Sequence, residues 1–321
     1  MFELFSEKSI GEEWRFGFRG NGIRGKTADS ETEGFVKVTG GRIWYKVMGK
    51  DRSGIPLLIV HGGPGLAHDY LEPLSVLGNE RPIVFYDQLG CGRSDLPADD
   101  SLWTLDRFAE EIEIIRDSLD LGTVHILGHS NGTLITSRYL SVRRHSGVRS
   151  VTLSNPVLSA SRMAADAARL LSQMPPNTRE IITKCMAAES FDGPDYQRAW
   201  EAFERLHQCR MERHPDVLER TFRNANYAIF DRMWGPGIPF MVAGTCKNIE
   251  AADWLSTIQV PVLFITGRYD YASPESTRIY KEHTPNAELE IIDDASHFPH
   301  LEKPDRFISV VREFLAREEH G

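Results

Sequence analysis

The residues best suited to chemistry in this sequence are Gly-His-Ser-Asn-Gly at positions 128–132. An apolar run at 124–127 precedes them, and a segment of helical character at 133–139 follows. Gly-x-Ser-x-Gly between a strand and a helix is the nucleophile-elbow pattern, in which a sharp turn exposes the serine hydroxyl. A side chain at either glycine would push the strand and the helix apart. The pattern predicts Ser130 as a nucleophile, although a plain strand-to-helix turn could have the same five residues.

A serine hydroxyl becomes a nucleophile only beside a base, and the base needs an acid to orient it. In elbow enzymes these partners follow the serine in the order Asp or Glu, then His. Asp270 follows the apolar run 262–266, and His297 follows the run 287–292. We therefore predict His297 as the base and Asp270 as its orienting acid. The weaker candidates are the mid-strand His125, His129 within the elbow, and His300 near the last helix.

The oxyanion that such a serine creates needs two preorganised N–H donors. The residue after the nucleophile usually supplies one, which predicts the N–H of Asn131. The second is expected from His-Gly-Gly-Pro-Gly at 61–65, which ends another apolar run. Because Pro64 has no N–H and a glycine N–H can approach closely, we predict Gly63 as the second donor.

Short apolar runs that alternate with helical segments must position these residues, and they predict an α/β fold with a doubly wound, mostly parallel sheet. Such sheets carry their chemistry beyond the carboxyl ends of the strands. Three glycine-containing loops, 61–65, 87–94 and 128–132, fall at those ends. The expected strands are a hairpin over 34–48 and runs at 56–60, 83–86, 124–127, 148–153, 260–266 and 287–292, with helices at 105–119, 133–139 and 304–317.

Buried strand runs disappear between about 157 and 254, where helical segments dominate: 162–171, 178–188, 196–212 and 215–230. This change predicts a helical cap, 157–254, inserted over the carboxyl edge of a core made of 34–156 and 255–321. Residues 1–33 are predicted as an N-terminal extension. Aromatic and basic residues alternate at 14–19, and we favour an extension packed on, or frayed from, the surface over a nucleic-acid-contacting arm.

The charge and amino-acid composition limit the classes of partner, compartment and cofactor that we expect. A net charge of −9 over 321 residues argues against a nucleic-acid or anionic-membrane surface. Four scattered cysteines without a Cys-x-x-Cys pair favour free thiols in a reducing compartment. There is no membrane-length apolar run and no secretory signal pattern, so a cytoplasmic protein is expected. Without a metal-ligand cluster or phosphate-binding loop, we predict no cofactor and no metal; the oligomeric state stays open.

His-Gly-Gly-Pro-Gly at 61–65, Asp-Gln-Leu-Gly-Cys-Gly-Arg-Ser at 87–94 and the elbow together resemble the prolyl aminopeptidase (proline iminopeptidase) family of α/β-hydrolases. Amino-acid amidases on the same scaffold are similar. The resemblance runs from about residue 35 to the C-terminus and includes Met-Trp-Gly-Pro at 233–236. It implies a metal-independent Ser-His-Asp hydrolase that releases an N-terminal amino acid or its amide from a small or short peptide-like substrate.

This sequence departs from the family where the substrate binds. Relatives carry a glutamate after the Gly-Pro of the cap, and many carry another directly after the triad aspartate; both hold the substrate α-ammonium. Here those stretches contain Ile238 and Tyr271. Asn131 also replaces a frequent tryptophan. By resemblance, the predicted substrate-binding residues are Gly62, Trp234, Ile238 and Tyr271.

These departures leave three hypotheses about the function open. The first is an aminopeptidase- or amidase-like serine hydrolase that works through an acyl-enzyme, with cap acids Glu201, Glu204 or Asp231 in place of the lost glutamates. The second is an esterase, lactonase or N-acyl amide hydrolase for a neutral, apolar substrate, since a shielded cation needs a paired charge. The third is a non-catalytic ligand-binding protein on the same fold.

Overall fold

Alternating apolar runs and helices produce one mixed sheet flanked by helices. The computed structural model describes residues 31–142 and 146–320. Predicted residues 14–19, and most of the predicted extension 1–33, lie outside this part of the chain. The described strands are β1 (Thr32–Val38), β2 (Gly41–Met48), β3 (Leu57–Val60), β4 (Ile83–Tyr86), β5 (Val124–His129), β6 (Val148–Ser154), β7 (Val262–Gly267) and β8 (Ala287–Ile292).

The strands are ordered β1-β2-β4-β3-β5-β6-β7-β8 across the sheet. Only β2 runs antiparallel to its neighbours β1 and β4, and every pair from β4 to β8 is parallel. Every residue of β3, β4, β5 and β7 is buried, as expected for parallel strands covered on both faces. The predicted doubly wound, mostly parallel sheet is therefore confirmed.

Helices make up the rest of the regular structure. The predicted bounds of two of them were wrong. The predicted helix 196–212 ends at His207, and the predicted helix 215–230 breaks at residues 224–226 into two. A 3-10 helix at His68–Asn79 was not predicted. The α-helices are α1 (Leu105–Ser118), α2 (Asn131–Val142), α3 (Ala160–Ser172), α4 (Pro176–Ala188), α5 (Pro194–His207), α6 (Asp216–Arg223), α7 (Tyr227–Met233), α8 (Ala252–Thr257), α9 (Pro274–Glu282), α10 (Pro299–Glu302) and α11 (Pro304–His320).

The helices between β6 and β7 pack in two ways. Helices α3, α4 and α5 share an apolar cluster of their own, which includes Phe191, Phe203 and Phe240. Helices α6, α7 and α8 instead contribute to the two clusters that cover the sheet. The division into core and cap remains a prediction, and its boundary at 254 falls inside α8.

The carboxyl ends of the parallel strands bring five loops to one edge of the sheet. The loops at 61–65, 87–94 and 128–132 follow β3, β4 and β5, which are neighbours in the strand order. The loops that follow β7 and β8 carry Asp270 and His297. Within the described ranges, no helix combines the length and apolarity needed to cross a membrane.

Candidate active site

Ser130 occupies a strained turn between the last residue of β5 and the first residue of α2. Its φ of 53° lies in the left-handed region, which costs a non-glycine residue of the order of 1–2 kcal/mol. The turn is held because the Ser130 N–H donates to the Ser154 carbonyl at 2.9 Å. A Cβ at Gly128 would lie 2.6 Å from the Gly132 carbonyl oxygen, and one at Gly132 would lie 2.2 Å from that of Val60. Both glycines are therefore required for the strand and the helix to pack this closely.

The side chains of Ser130, His297 and Asp270 form one hydrogen-bonded chain. His297 Nε2 lies 2.9 Å from Ser130 Oγ, and His297 Nδ1 lies 2.9 Å from Asp270 Oδ1. With Nδ1–H donating to the carboxylate, Nε2 is the acceptor that faces the serine. All three residues are buried; Ser130, at 7%, is the most exposed of them. This arrangement can activate a serine hydroxyl and return its proton to a leaving group.

Asn155 is a member of the site that the motif-based reasoning missed. Its Nδ2 donates to Asp270 Oδ2 at 2.7 Å, while the Ala272 N–H donates to Asp270 Oδ1 at 2.9 Å. Both carboxylate oxygens are thus satisfied, so the carboxylate is fixed in orientation toward His297. The signal that could have found Asn155 is its position directly after β6, at the same carboxyl edge as the other loops.

The loop 61–65 lies directly against the elbow, as an oxyanion site requires. A Cβ at Gly62 would lie 2.8 Å from the Ser130 Cβ. The Gly62 N–H already donates to the Tyr70 hydroxyl at 2.7 Å, so it is not free for an oxyanion. Gly63 has a φ of 118°, a conformation that favours glycine. Asn131 begins α2, so its N–H has no carbonyl partner within the helix. The Gly63 and Asn131 donor roles remain predictions that this geometry accommodates.

Tyr70 and His129 form a second buried network behind the catalytic chain. The Tyr70 hydroxyl donates to His129 Nδ1 at 3.0 Å, and His129 Nε2–H donates to the His297 carbonyl at 2.8 Å. Burial, with the nearby His300 and His297, lowers the pKa of His129 and keeps its ring neutral. The network links the loop 61–65 to the backbone of His297. Nothing in the sequence pattern marked Tyr70, because it lies in the unpredicted 3-10 helix.

Three of the four predicted substrate-side residues lie near the nucleophile. Gly62 is close enough that an added Cβ would lie 2.8 Å from the Ser130 Cβ, and the Tyr271 hydroxyl lies 3.1 Å from His297 Nε2. Trp234 is only 1% exposed, and its Nε1–H donates to Asn131 Oδ1 at 2.9 Å. Ile238 is partly buried and packs against the core cluster that contains Trp234.

The structure separates the three cap acids. Glu201 and Asp231 are exposed, whereas Glu204 is partly buried. Burial, and then repulsion from Glu201, raises the pKa of Glu204 to about 7. Glu204 lies one helical turn before Gln208, whose carbonyl accepts the backbone N–H of His297 at 3.1 Å. Of the three acids, Glu204 is the one shielded from solvent, with His214 Nε2 at 4.0 Å from its Oε1, and it stays our candidate for contact with a substrate.

One cluster in the described part of the chain has metal-ligand geometry, namely His68, Asp69 and Glu72. Protein groups already engage it. His68 Nδ1 pairs with Asp87 at 2.8 Å, and Arg220 donates to Asp69 at 3.2 Å and to Glu72 at 2.8 Å. Because Arg220 supplies the positive charge, we assign no metal to this cluster.

Known proteins share both the fold and the length of this chain. The family model described as the α/β hydrolase fold matches residues 55–304. A proline iminopeptidase of Heyndrickxia coagulans is 40% identical over 287 residues, which cover 88% of this chain and 98% of that protein. A solved proline iminopeptidase of Mycobacterium smegmatis has a TM-score of 0.83 at 29% identity, covering 89% of this chain and 98% of that one. The structure of VinJ has a TM-score of 0.84 at 32% identity, covering 90% and 99%.

Proposed function

The chain belongs to the proline iminopeptidase family of α/β-hydrolases, and from this premise we propose that it cleaves an amide bond through an acyl-enzyme on Ser130. Family membership confirms the predicted resemblance and makes the protein a serine hydrolase. The proposal adds the bond, the intermediate and the residue roles. Its substrate is a small molecule or a short peptide-like compound, in keeping with relatives that are named as peptidases.

In acylation, the Ser130 Oγ bonds to the substrate carbonyl carbon while its proton passes to His297 Nε2. Asp270 holds the imidazole tautomer and stabilises the imidazolium. The N–H groups of Gly63 and Asn131 stabilise the negative oxygen of the tetrahedral intermediate. The C–N bond then breaks, and the leaving amine takes the proton from His297. A water molecule, deprotonated by His297, then attacks the acyl-enzyme in the same way, and the acid is released as Ser130 regains its proton.

The observation that carries this proposal is the pair of 2.9 Å contacts from His297, one to Ser130 and one to Asp270, at the strained elbow. Ser130→Ala should reduce kcat/KM by about 10³-fold or more while leaving the melting temperature within a few degrees, because the hydroxyl does not support the fold. Ser137→Ala, at another buried serine on α2, is the matched control. Unchanged turnover in Ser130→Ala would overturn the assignment.

Fluorophosphonate labelling separates the enzyme from a non-catalytic binding protein. A serine activated by His297 should be labelled stoichiometrically at Ser130, and the label should be absent in Ser130→Ala. A wild-type protein that takes up no label would favour the ligand-binding alternative, since an unactivated serine hydroxyl does not react.

A neutral-substrate hydrolase is the second candidate, and Tyr271 and Ile238 favour it. Neither side chain carries a negative charge that could form an ion pair with a substrate ammonium, and both pack against apolar clusters. The test compares an amino-acid anilide that has a free α-amine with its N-acetylated twin and with the matching aryl ester. Faster turnover of the free amine supports an aminopeptidase. Turnover of the ester or of the acetylated compound alone supports an esterase, lactonase or N-acyl amide hydrolase.

A further inference from the structure

Tyr271 places a second hydroxyl on the catalytic base. Its oxygen lies 3.1 Å from His297 Nε2, the same atom that Ser130 Oγ approaches at 2.9 Å. The Tyr271 ring stacks on the imidazole with centroids 4.4 Å apart and an interplanar angle of 26°. Three polar atoms therefore meet where bond cleavage takes place.

The protein holds Tyr271 in this position from both sides. The Tyr271 N–H donates to the His207 carbonyl at the end of α5, at 3.1 Å. Its ring packs against the core cluster and against the cluster shared by α3, α4 and α5. Burial, followed by the charge of Asp270, raises the pKa of Tyr271, so the hydroxyl stays protonated and neutral at physiological pH.

The leaving atom must come to the same place. In the tetrahedral intermediate the scissile nitrogen is bonded to the carbon that also carries Ser130 Oγ, and it must reach His297 Nε2 to receive a proton. An amide nitrogen has one lone pair, which has to point at Nε2–H for that transfer. Its remaining N–H then points elsewhere and, in a buried site, needs an acceptor. An ester oxygen has no such hydrogen and makes no such demand.

We propose that Tyr271 is a catalytic residue whose hydroxyl oxygen accepts the N–H of the scissile amide and so turns the nitrogen lone pair toward His297. This role rests on the proposed amide-cleaving function. The reaction needs no proton from Tyr271, because the proton passes from Ser130 through His297 to the leaving nitrogen as the C–N bond breaks. Tyr271 keeps its own proton throughout.

The test is Tyr271→Phe, which keeps the stacked ring and removes only the hydroxyl. It should be assayed on an anilide and an aryl ester that share one acyl group. We expect kcat/KM, which reports acylation, to fall about 10–100-fold for the anilide and less than about 3-fold for the ester. Tyr269→Phe is the matched control, because it removes a hydroxyl from the partly exposed tyrosine just before Asp270 and should change neither value.

The possible outcomes separate this role from the function on which it rests. An equal loss on both substrates would mean that Tyr271 only supports the imidazole, and a gain would mean that its hydroxyl merely competes with Ser130 for the base; either result overturns the role. An unchanged anilide rate also overturns it. A wild-type protein labelled at Ser130 that cleaves the ester but never the anilide overturns the amide function and this role together.

Discussion

The catalytic edge and the substrate face of this site are built differently. The catalytic edge, meaning Ser130, Asp270 and His297, is held by backbone at strand ends and by buried partners such as Asn155. The substrate face, meaning Asn131, Trp234, Ile238 and Tyr271, lies where helices between β6 and β7 pack. Asn131, Ile238 and Tyr271 are also the positions at which the sequence predicts departures from the family. From this difference we propose that the catalytic chemistry of the family is kept while the substrate preference differs.

Asp270→Asn is the largest perturbation we predict for the catalytic edge. An amide at this position can donate to His297 Nδ1, which favours the tautomer that presents a proton rather than a lone pair to Ser130. We expect kcat to fall about 10³–10⁴-fold for every substrate, ester and anilide alike. Asp293→Asn, at an exposed aspartate that pairs only with Arg268 in the described structure, is the control. A loss confined to one substrate class would break the contrast between edge and face.

Gly132→Ala tests whether the catalytic edge depends on backbone packing. The added Cβ would meet the Val60 carbonyl oxygen at 2.2 Å, and neither the strand nor the helix can move without opening the elbow. We expect a loss of about 1–3 kcal/mol or more in unfolding free energy, measured by chemical denaturation. Gly193→Ala, where a Cβ meets nothing within 4 Å, should be nearly neutral. Equal stability of the two variants would show that the tight turn is not required.

The catalytic edge could be predicted from sequence because each of its parts is local. A strand, a glycine turn and a helix start are encoded within a few residues around Ser130, and Asp270 and His297 each follow an apolar run within a few residues. Asn155 has only its position after β6 as a signal, and Tyr70 has none, since the roles of both residues depend on which loops meet in space. The break between α6 and α7 was missed because amphipathic spacing continues through residues 224–226.

The substrate face was less predictable for a physical reason. Whether Glu201, Glu204 or Asp231 could receive an ammonium depends on burial, which helical spacing alone does not give. Only the folded structure shows that Glu204 is the partly buried acid of the three and that α5 packs against the loop of Asp270. The same packing places the Tyr271 hydroxyl on His297, a contact that no motif predicts.

Glu204 gives the smallest expected effect and the sharpest test of the substrate face. Because its pKa is raised to about 7, the carboxyl is largely neutral below that pH and charged above it. If Glu204 holds a substrate ammonium, the kcat/KM of a free-amine anilide relative to its N-acetylated twin should rise through pH 7. It should fall again near pH 8, where an α-amine loses its proton. The ratio cancels every pH effect that the two substrates share, because both are cleaved at the same catalytic residues.

Two variants of α5 complete this test. Glu204→Gln should flatten the rise and lower the ratio about 10-fold at its maximum, the size expected for losing a partly buried ion pair of about 1–2 kcal/mol. Glu201→Gln should keep the rise but move it to lower pH, because the Glu201 charge helps to raise the pKa of Glu204. A ratio below one that stays flat with pH in the wild-type protein would exclude ammonium recognition by Glu204. The apolar side chains of the substrate face would then set the specificity, and the enzyme would belong with hydrolases of neutral substrates.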